Sequence, residues 1–272
     1  MTLIETNRMP SDFQITSTNI NRAPVIEFEN ASEPKPNPDA ITKSVQLPPD
    51  LSWTRGLDRT GTESNWLIAS GNNPSGTGIK TIEISPELKG YEKTVTDIIN
   101  TSAAIIENGS DELDKTLRNS NVIFDVSANI PARLRELANT DGFKNQKSKL
   151  LELADKTEKG DINAITLSGE YKDPKTGETK LIHRMLLDAN KMSPIASALA
   201  IIDHEFGHID RLENKNHSPD ISTEERETFQ ESIKRLQGYE TFLRNKGIDK
   251  TADDLKNTII PREKEYLKAY SN

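Results

Sequence analysis

One short stretch constrains this chain more than any other. Ile195, Leu199, Ile202, Phe206 and Ile209 recur at alternating steps of four and three, which predicts a helix over about 194–213 with an apolar stripe turned to a core. Ser193 and Pro194 give the start signal, Ser as N-cap and Pro at the first helical position, where its missing N–H costs nothing. His204 and His208 sit four apart and share a different face, about 160–200° from Ile202 and Phe206.

That spacing has a chemical meaning. Two imidazoles one helical turn apart can both reach a zinc ion at about 2.0–2.1 Å. Glu205, beside the first, can take a proton from an attacking water. The run His204-Glu205-Phe206-Gly207-His208 therefore reads as the zinc-binding and general-base core of a metallopeptidase. The chain has four histidines in all, so incidental placement explains the pattern poorly; of the other two, His183 falls in an expected strand and reads as a satisfied strand residue. Gly207 costs roughly 1 kcal/mol of helix propensity relative to Ala, so some other part of the chain, such as another backbone, is expected to pass close to it.

Composition restricts the remaining ligand by type. Cysteine is absent, which excludes disulfides, thiol catalysis and cysteine–zinc ligation. The position six past His208 is Asn214, so a third histidine is missing there, and Arg211 stands where that pattern has glycine. A carboxylate from a second helix beginning near Ser222 is the expected third arm. Glu225 is the favoured ligand, with Glu224, Glu227, Glu231, Asp210 and His217 as alternatives. Ser222 and Glu225 also match a capping box, which would give Glu225 a merely local role. Asp203 and Asp210 are candidates to accept the outer N–H of a ligating imidazole, or else ordinary helix-surface acids. For the oxyanion, Tyr239 is carried forward as the catalytic partner of Glu205, with Arg244, Tyr266 and Tyr270 as alternatives, because a phenol or guanidinium suits the developing charge.

The rest of the chain sets the frame. Its 272 residues, 33% of them hydrophobic, allow one substantial core. A net charge of −8 argues against nucleic acid or an anionic membrane as partner. No apolar run approaches the roughly 18 residues of a membrane span, so a soluble chain is expected, and the N-terminus does not have the pattern of a Sec-type signal peptide. Residues 1–50 hold seven of the fourteen prolines and are expected to be disordered, as a linker or tail or as a secretion signal. Residues 51–272 are expected to form the metallopeptidase domain. Strands are expected at 66–69, 80–84, 122–126, 163–167 and 181–187, the last two joined as a hairpin through turn-rich 173–178. Helices are expected over 87–108 and 134–156. The fold class is α+β, with a small mixed sheet packed on the active-site helix, a mainly helical C-terminal part, and 181–187 as an edge strand that pairs with an extended substrate.

Three segments together carry a family resemblance: Ala200-Ile201-Ile202-Asp203-His204-Glu205-Phe206-Gly207-His208, then Thr223-Glu224-Glu225-Arg226-Glu227-Thr228-Phe229, then 239–247. Over about 195–247 the chain resembles the NleD-type secreted effector zinc metallopeptidases, zincins that are distantly similar to clostridial neurotoxin light chains. In that group a Glu-Glu pair supplies the third zinc ligand from its second Glu, which falls on Glu225. Gly207 stands where those motifs carry a bulky apolar residue, and Gln230 where a glycine usually follows. The resemblance implies a zincin-like fold and a zinc-dependent endopeptidase. It implies a bacterial effector secreted into the host cell cytoplasm that cleaves a host signalling protein, for instance a kinase. The N-terminal segment would then engage the secretion machinery or a chaperone. The NleC-type effector proteases, which pair the same motif with a downstream Asp, are the runner-up. A zinc-binding effector or adaptor without catalysis, and a housekeeping peptidase of the bacterial cytoplasm, are the competing readings.

Overall fold

Strand alternation sorts the core of this chain into two layers, one on each face of a mixed sheet. The computed structural model describes residues 14–16 and 80–270, apart from 110, 141–142, 144–145, 159–161 and 173–178. In chain order the elements are β1 (Gln14–Thr16), β2 (Lys80–Ile84), α1 (Glu92–Gly109), α2 (Asp111–Asn119), β3 (Asn121–Ser127), α3 (Ile130–Leu137) and α4 (Lys147–Thr157). There follow β4 (Ala164–Lys172), β5 (Thr179–Asp188), α5 (Ile195–Glu213), α6 (Ile221–Asn245), α7 (Asp249–Asp254) and, after a π-helical turn, α8 (Ile260–Ala269). The strand order is β1-β4-β5-β3-β2; β2, β3 and β5 are parallel, and β4 is antiparallel to β5 and to β1.

Val122, Phe124 and Val126 of β3, Met185 and Leu187 of β5 and Ala164 of β4 join the core shared with α1 and α5. Ile165, Leu167 and Leu186 turn the other way, against Leu134 and Leu137 of α3 and Leu150 and Leu153 of α4. The same period of two puts Thr166, Ser168 and His183 on the α5 side. Those three polar residues need partners there.

Helix α5 is buried without interruption from Ile195 to Ile209. The expected stripe is present, with Leu199, Ile202, Phe206 and Ile209 at 0% exposure, and each such side chain contributes about 1.5–3 kcal/mol on burial. Phe206 packs its ring 6.1 Å from that of Phe124. The histidine face is covered as well, because α6 lies across it. A Cβ on Gly207 would meet Thr228 Cγ2 at 3.0 Å and Arg235 Nη2 at 3.1 Å, so the glycine lets α6 approach this closely. What passes there is two side chains, not another backbone. Asp203, wholly buried, locks the pair by accepting from Ser232 Oγ (2.6 Å), Arg235 Nε (3.0 Å) and Nη2 (3.1 Å), and Tyr239 Oη (2.7 Å).

Several elements differ from the sequence expectation. The run 87–108 starts as a short 3-10 turn, Pro86–Leu88, and Gly90 at φ +93° breaks it before α1 begins at Glu92. The run 134–156 is two helices. Helix α3 begins earlier, under Asn129, whose side chain accepts from Ala132 N (2.9 Å). It ends where Asn139 Nδ2 and Thr140 Oγ1 bond the carbonyls of Arg135 and Leu137 (2.9 and 2.8 Å). Pro194 and not Ser193 is the N-cap of α5, since the Pro194 carbonyl takes the N–H of Ser197 (2.8 Å) and Ala198 (3.3 Å). Strand 181–187 is internal, paired on both sides, so it cannot act as an edge; its hairpin partner β4 lies outside it, with β1 beyond. Within 1–50, residues 14–16 form β1 in place of the expected disorder. The rest of 1–50, the strand at 66–69 and the turn at 173–178 lie outside the described residues. No described helix is long and apolar enough to cross a membrane.

Candidate metal centre

His204 and His208 project from successive turns of α5 with ring centroids 4.8 Å apart and their Nε2 atoms 3.1 Å apart. The third arm comes from the start of α6. Asp220 caps that helix by accepting from Thr223 N (2.9 Å), so the Ser222–Glu225 capping box does not form and Glu225 has no local capping role. Its carboxylate crosses to α5 instead, with Oε2 at 3.3 Å from His204 Nε2 and Oε1 at 3.5 Å from His208 Nε2.

These separations can be checked against coordination geometry. Ligands at about 2.0–2.1 Å from one tetrahedral ion stand about 3.3 Å from each other. One ligand atom from each of His204, His208 and Glu225 lies within 4.8 Å of the others. All three residues are buried, and Glu225 Oε2 and His204 Nδ1 have no hydrogen-bond partner among the described residues. Leaving a buried carboxylate oxygen so placed costs on the order of 1–3 kcal/mol, which a coordinated cation removes. The triad could hold a metal ion, and its donors, two imidazoles and a carboxylate, suit a divalent one.

Glu224 has the opposite fate from its neighbour. It is satisfied by His208 Nδ1 (3.1 Å), Arg211 Nε (3.1 and 3.2 Å) and the N–H of Ser218 (2.8 Å). Burial alone would raise its pKa, but the bonds from His208 and Ser218 outweigh this and hold it at about 2. Glu224 therefore stays ionised and orients His208, the part expected of Asp203 or Asp210. Asp203 is committed to α6, and Asp210 takes Thr116 and Asn214 Nδ2 (2.9 Å). Glu227 and Glu231 pair with Arg211, the latter at 3.1 Å, and His217 is not part of the cluster.

Glu205, 2% exposed, accepts from Thr166 Oγ1 of β4 at 2.6 Å. With His204 it faces a cavity walled by Ala164, Ala200, Ile201 and Phe229, to which Asn163, Glu263 and Tyr266 add polar groups. The Phe229 ring lies 4.3 Å from that of His204 and 5.9 and 5.8 Å from those of Tyr266 and Tyr270, so α8 closes one side. Burial pushes the Tyr270 phenol up, with Glu225 adding to the effect. Burial likewise pushes the Glu263 carboxyl above its ordinary range, against the opposing pull of Arg262 and His204.

Tyr239 is not brought to this cavity. It is wholly buried, its hydroxyl donates to Asp203, and its ring fills the space a Cβ on Gly109 would need. It stands fourteen residues beyond Glu225, about 21 Å along the helix, and does not line the cavity. Arg244 pairs with Glu240 and with Asp253 (2.7 Å). Of the four oxyanion candidates, Tyr266 is the one in the cavity wall. Sequence reasoning missed Thr166 and Glu263. Alternation could have placed Thr166 on the α5 side, but nothing local names Glu205 as its partner. Compared with protein-family models, with curated proteins and with solved structures, the chain matches none.

Proposed function

We propose that this chain is a zinc-dependent endopeptidase with Glu205 as its general base. The observation that carries the reading is the convergence of His204, His208 and Glu225 at tetrahedral-edge distances beside a cavity that also receives Glu205. The chemistry a zinc ion supplies when bound is Lewis acidity toward the scissile carbonyl and toward water. Thr166 fixes the carboxylate of Glu205, which takes the proton of the attacking water and passes it to the leaving amine. Tyr266 lines the cavity and, in this reading, donates its phenol proton to the oxyanion as a hydrogen bond. Asn163 and Ala164 border the same cavity just before the residues of β4 that β1 covers, so the substrate backbone passes beside the start of β4 and not along β5. The zincin-like classification, and a host-cell setting with a signalling protein such as a kinase as substrate, rest on the resemblance over 195–247.

The test is digestion of a proteome-derived peptide mixture by zinc-loaded protein, read as new termini by mass spectrometry. Glu205→Gln should keep one zinc per chain while cleavage falls about 10²–10⁴-fold, the usual worth of a positioned general base. Equal cleavage by the variant, or none by the wild type, removes the proposal.

A further inference from the structure

Glu263 is the one acid in the cavity wall that neither the metal triad nor the general base accounts for. It is 5% exposed and sits on α8 three residues before Tyr266, so the two share a helical face. Its bonds come from Arg262, whose Nη2 (3.0 Å) and Nε (3.3 Å) both land on Oε1. Its other oxygen, Oε2, accepts no bond among the described residues and is not one of their fully enclosed unpartnered atoms. An ionised carboxyl group offers about four acceptor sites, so one whose bonds all fall on a single oxygen keeps acceptor capacity on the other. The same wall carries the apolar side chains of Ala200, Ile201 and Phe229.

A carboxylate set among apolar side chains next to a hydrolytic centre excludes acidic groups and receives a cation carried on an aliphatic stem. We propose that Glu263 is a specificity-determining residue that selects substrates with a lysine or arginine next to the scissile bond. Oε2 accepts the cationic head, and Ala200, Ile201 and Phe229 cover the stem. Arg262, with a side chain 35% exposed, is then the internal stand-in that substrate displaces. This rests on the endopeptidase reading and adds the substrate class to it.

N-acetylated, internally quenched peptides carrying Lys, Arg, Gln or Glu on either side of the scissile bond test the assignment. The wild type should favour Lys and Arg over Gln by about 10–100-fold in kcat/KM, the range of a charge-assisted hydrogen bond, with Glu peptides slowest. Glu263→Gln should bring that ratio close to one, and Glu263→Arg should turn the preference toward Glu peptides. Arg262→Ala should lower KM for basic peptides. One zinc per chain in every variant shows that the fold is kept. Cleavage without basic preference, or a preference that survives Glu263→Gln, overturns the assignment and leaves the peptidase reading intact. Fluorescence anisotropy of the same peptides on zinc-loaded Glu205→Gln separates the two claims further. Binding selective for basic peptides and lost in Glu263→Gln supports the cation site even where the wild type cleaves nothing, which retires the peptidase reading alone. Unselective binding overturns the site.

Discussion

Two buried histidine sites lie along α5, and they are finished to different degrees. His183, at 0% exposure, has both ring nitrogens occupied: Nδ1 meets Ser168 Oγ at 2.7 Å and Nε2 meets Glu213 Oε1 at 3.1 Å. Burial alone would raise the pKa of Glu213, yet its bond to His183 brings it below the ordinary range, so the imidazole is satisfied from within the chain. Five to nine residues earlier on the helix, His204 and His208 turn their Nε2 atoms toward each other and toward Glu225. Two buried atoms there, His204 Nδ1 and Glu225 Oε2, keep no hydrogen bond among the described residues. A buried imidazole whose needs the protein meets is part of the scaffold. A buried group of acceptors that the protein leaves unmet is shaped for a cation.

The largest expected effect separates the two sites by stability. Zinc at about a hundred times its Kd should add about 2.7 kcal/mol, or roughly 5–10 °C in Tm for a domain of this size. Differential scanning fluorimetry of metal-free and zinc-loaded protein reads it directly. Glu225→Ala and His204→Ala should lose the zinc-induced shift, whereas His183→Ala should keep it. The reverse pattern would break the comparison outright.

Glu224 sharpens it within the metal site. Glu224→Gln keeps the shape but gives up the charge that orients His208. Zinc affinity in a chelator competition should weaken about 10–100-fold with stoichiometry still at one. Unchanged affinity would mean that the Glu224–His208 bond belongs with the scaffold, as the His183 bonds do.

His183→Ala then tests the finished site. Ser168 and Glu213 would be left without their imidazole, at a cost of roughly 1–3 kcal/mol in urea denaturation. Peptide turnover should stay at the wild-type level, and a loss of turnover would place His183 in the machinery.

How much of this was legible in the sequence depends on the range of the interaction. The helix carrying His204, Glu205 and His208 was readable because its period, its apolar stripe and its motif all lie within twenty residues. Glu225 was half readable. The downstream acids were visible as candidates, but choosing among them required knowing that Asp220, not Ser222, caps α6, which frees Glu225 from a capping role. Thr166 stands 39 residues from Glu205, and Glu263 and Tyr266 come from α8 at the far end of the chain. Such partners are set by how the layers pack, and no local pattern encodes them. The internal place of 181–187 was hidden for the same reason, since its parallel pairing with β3 joins segments some sixty residues apart.

Tyr239 gives the smallest effect and the finest distinction. On sequence alone it competes with Tyr266 for the oxyanion, both being phenols downstream of the motif. In the fold its hydroxyl is one of four donors on Asp203, which keeps Ser232 and both Arg235 nitrogens when the phenol is removed. Tyr239→Phe should therefore cost only about 0.5–1.5 kcal/mol of stability, the net worth of one hydrogen bond whose acceptor stays satisfied. Turnover at saturating substrate should not change, while Tyr266→Phe, measured alongside, should lower kcat. A fall in kcat for Tyr239→Phe with zinc still bound would show that the Asp203 network moves during turnover. The α5–α6 seam would then belong with the unfinished site and not with the scaffold.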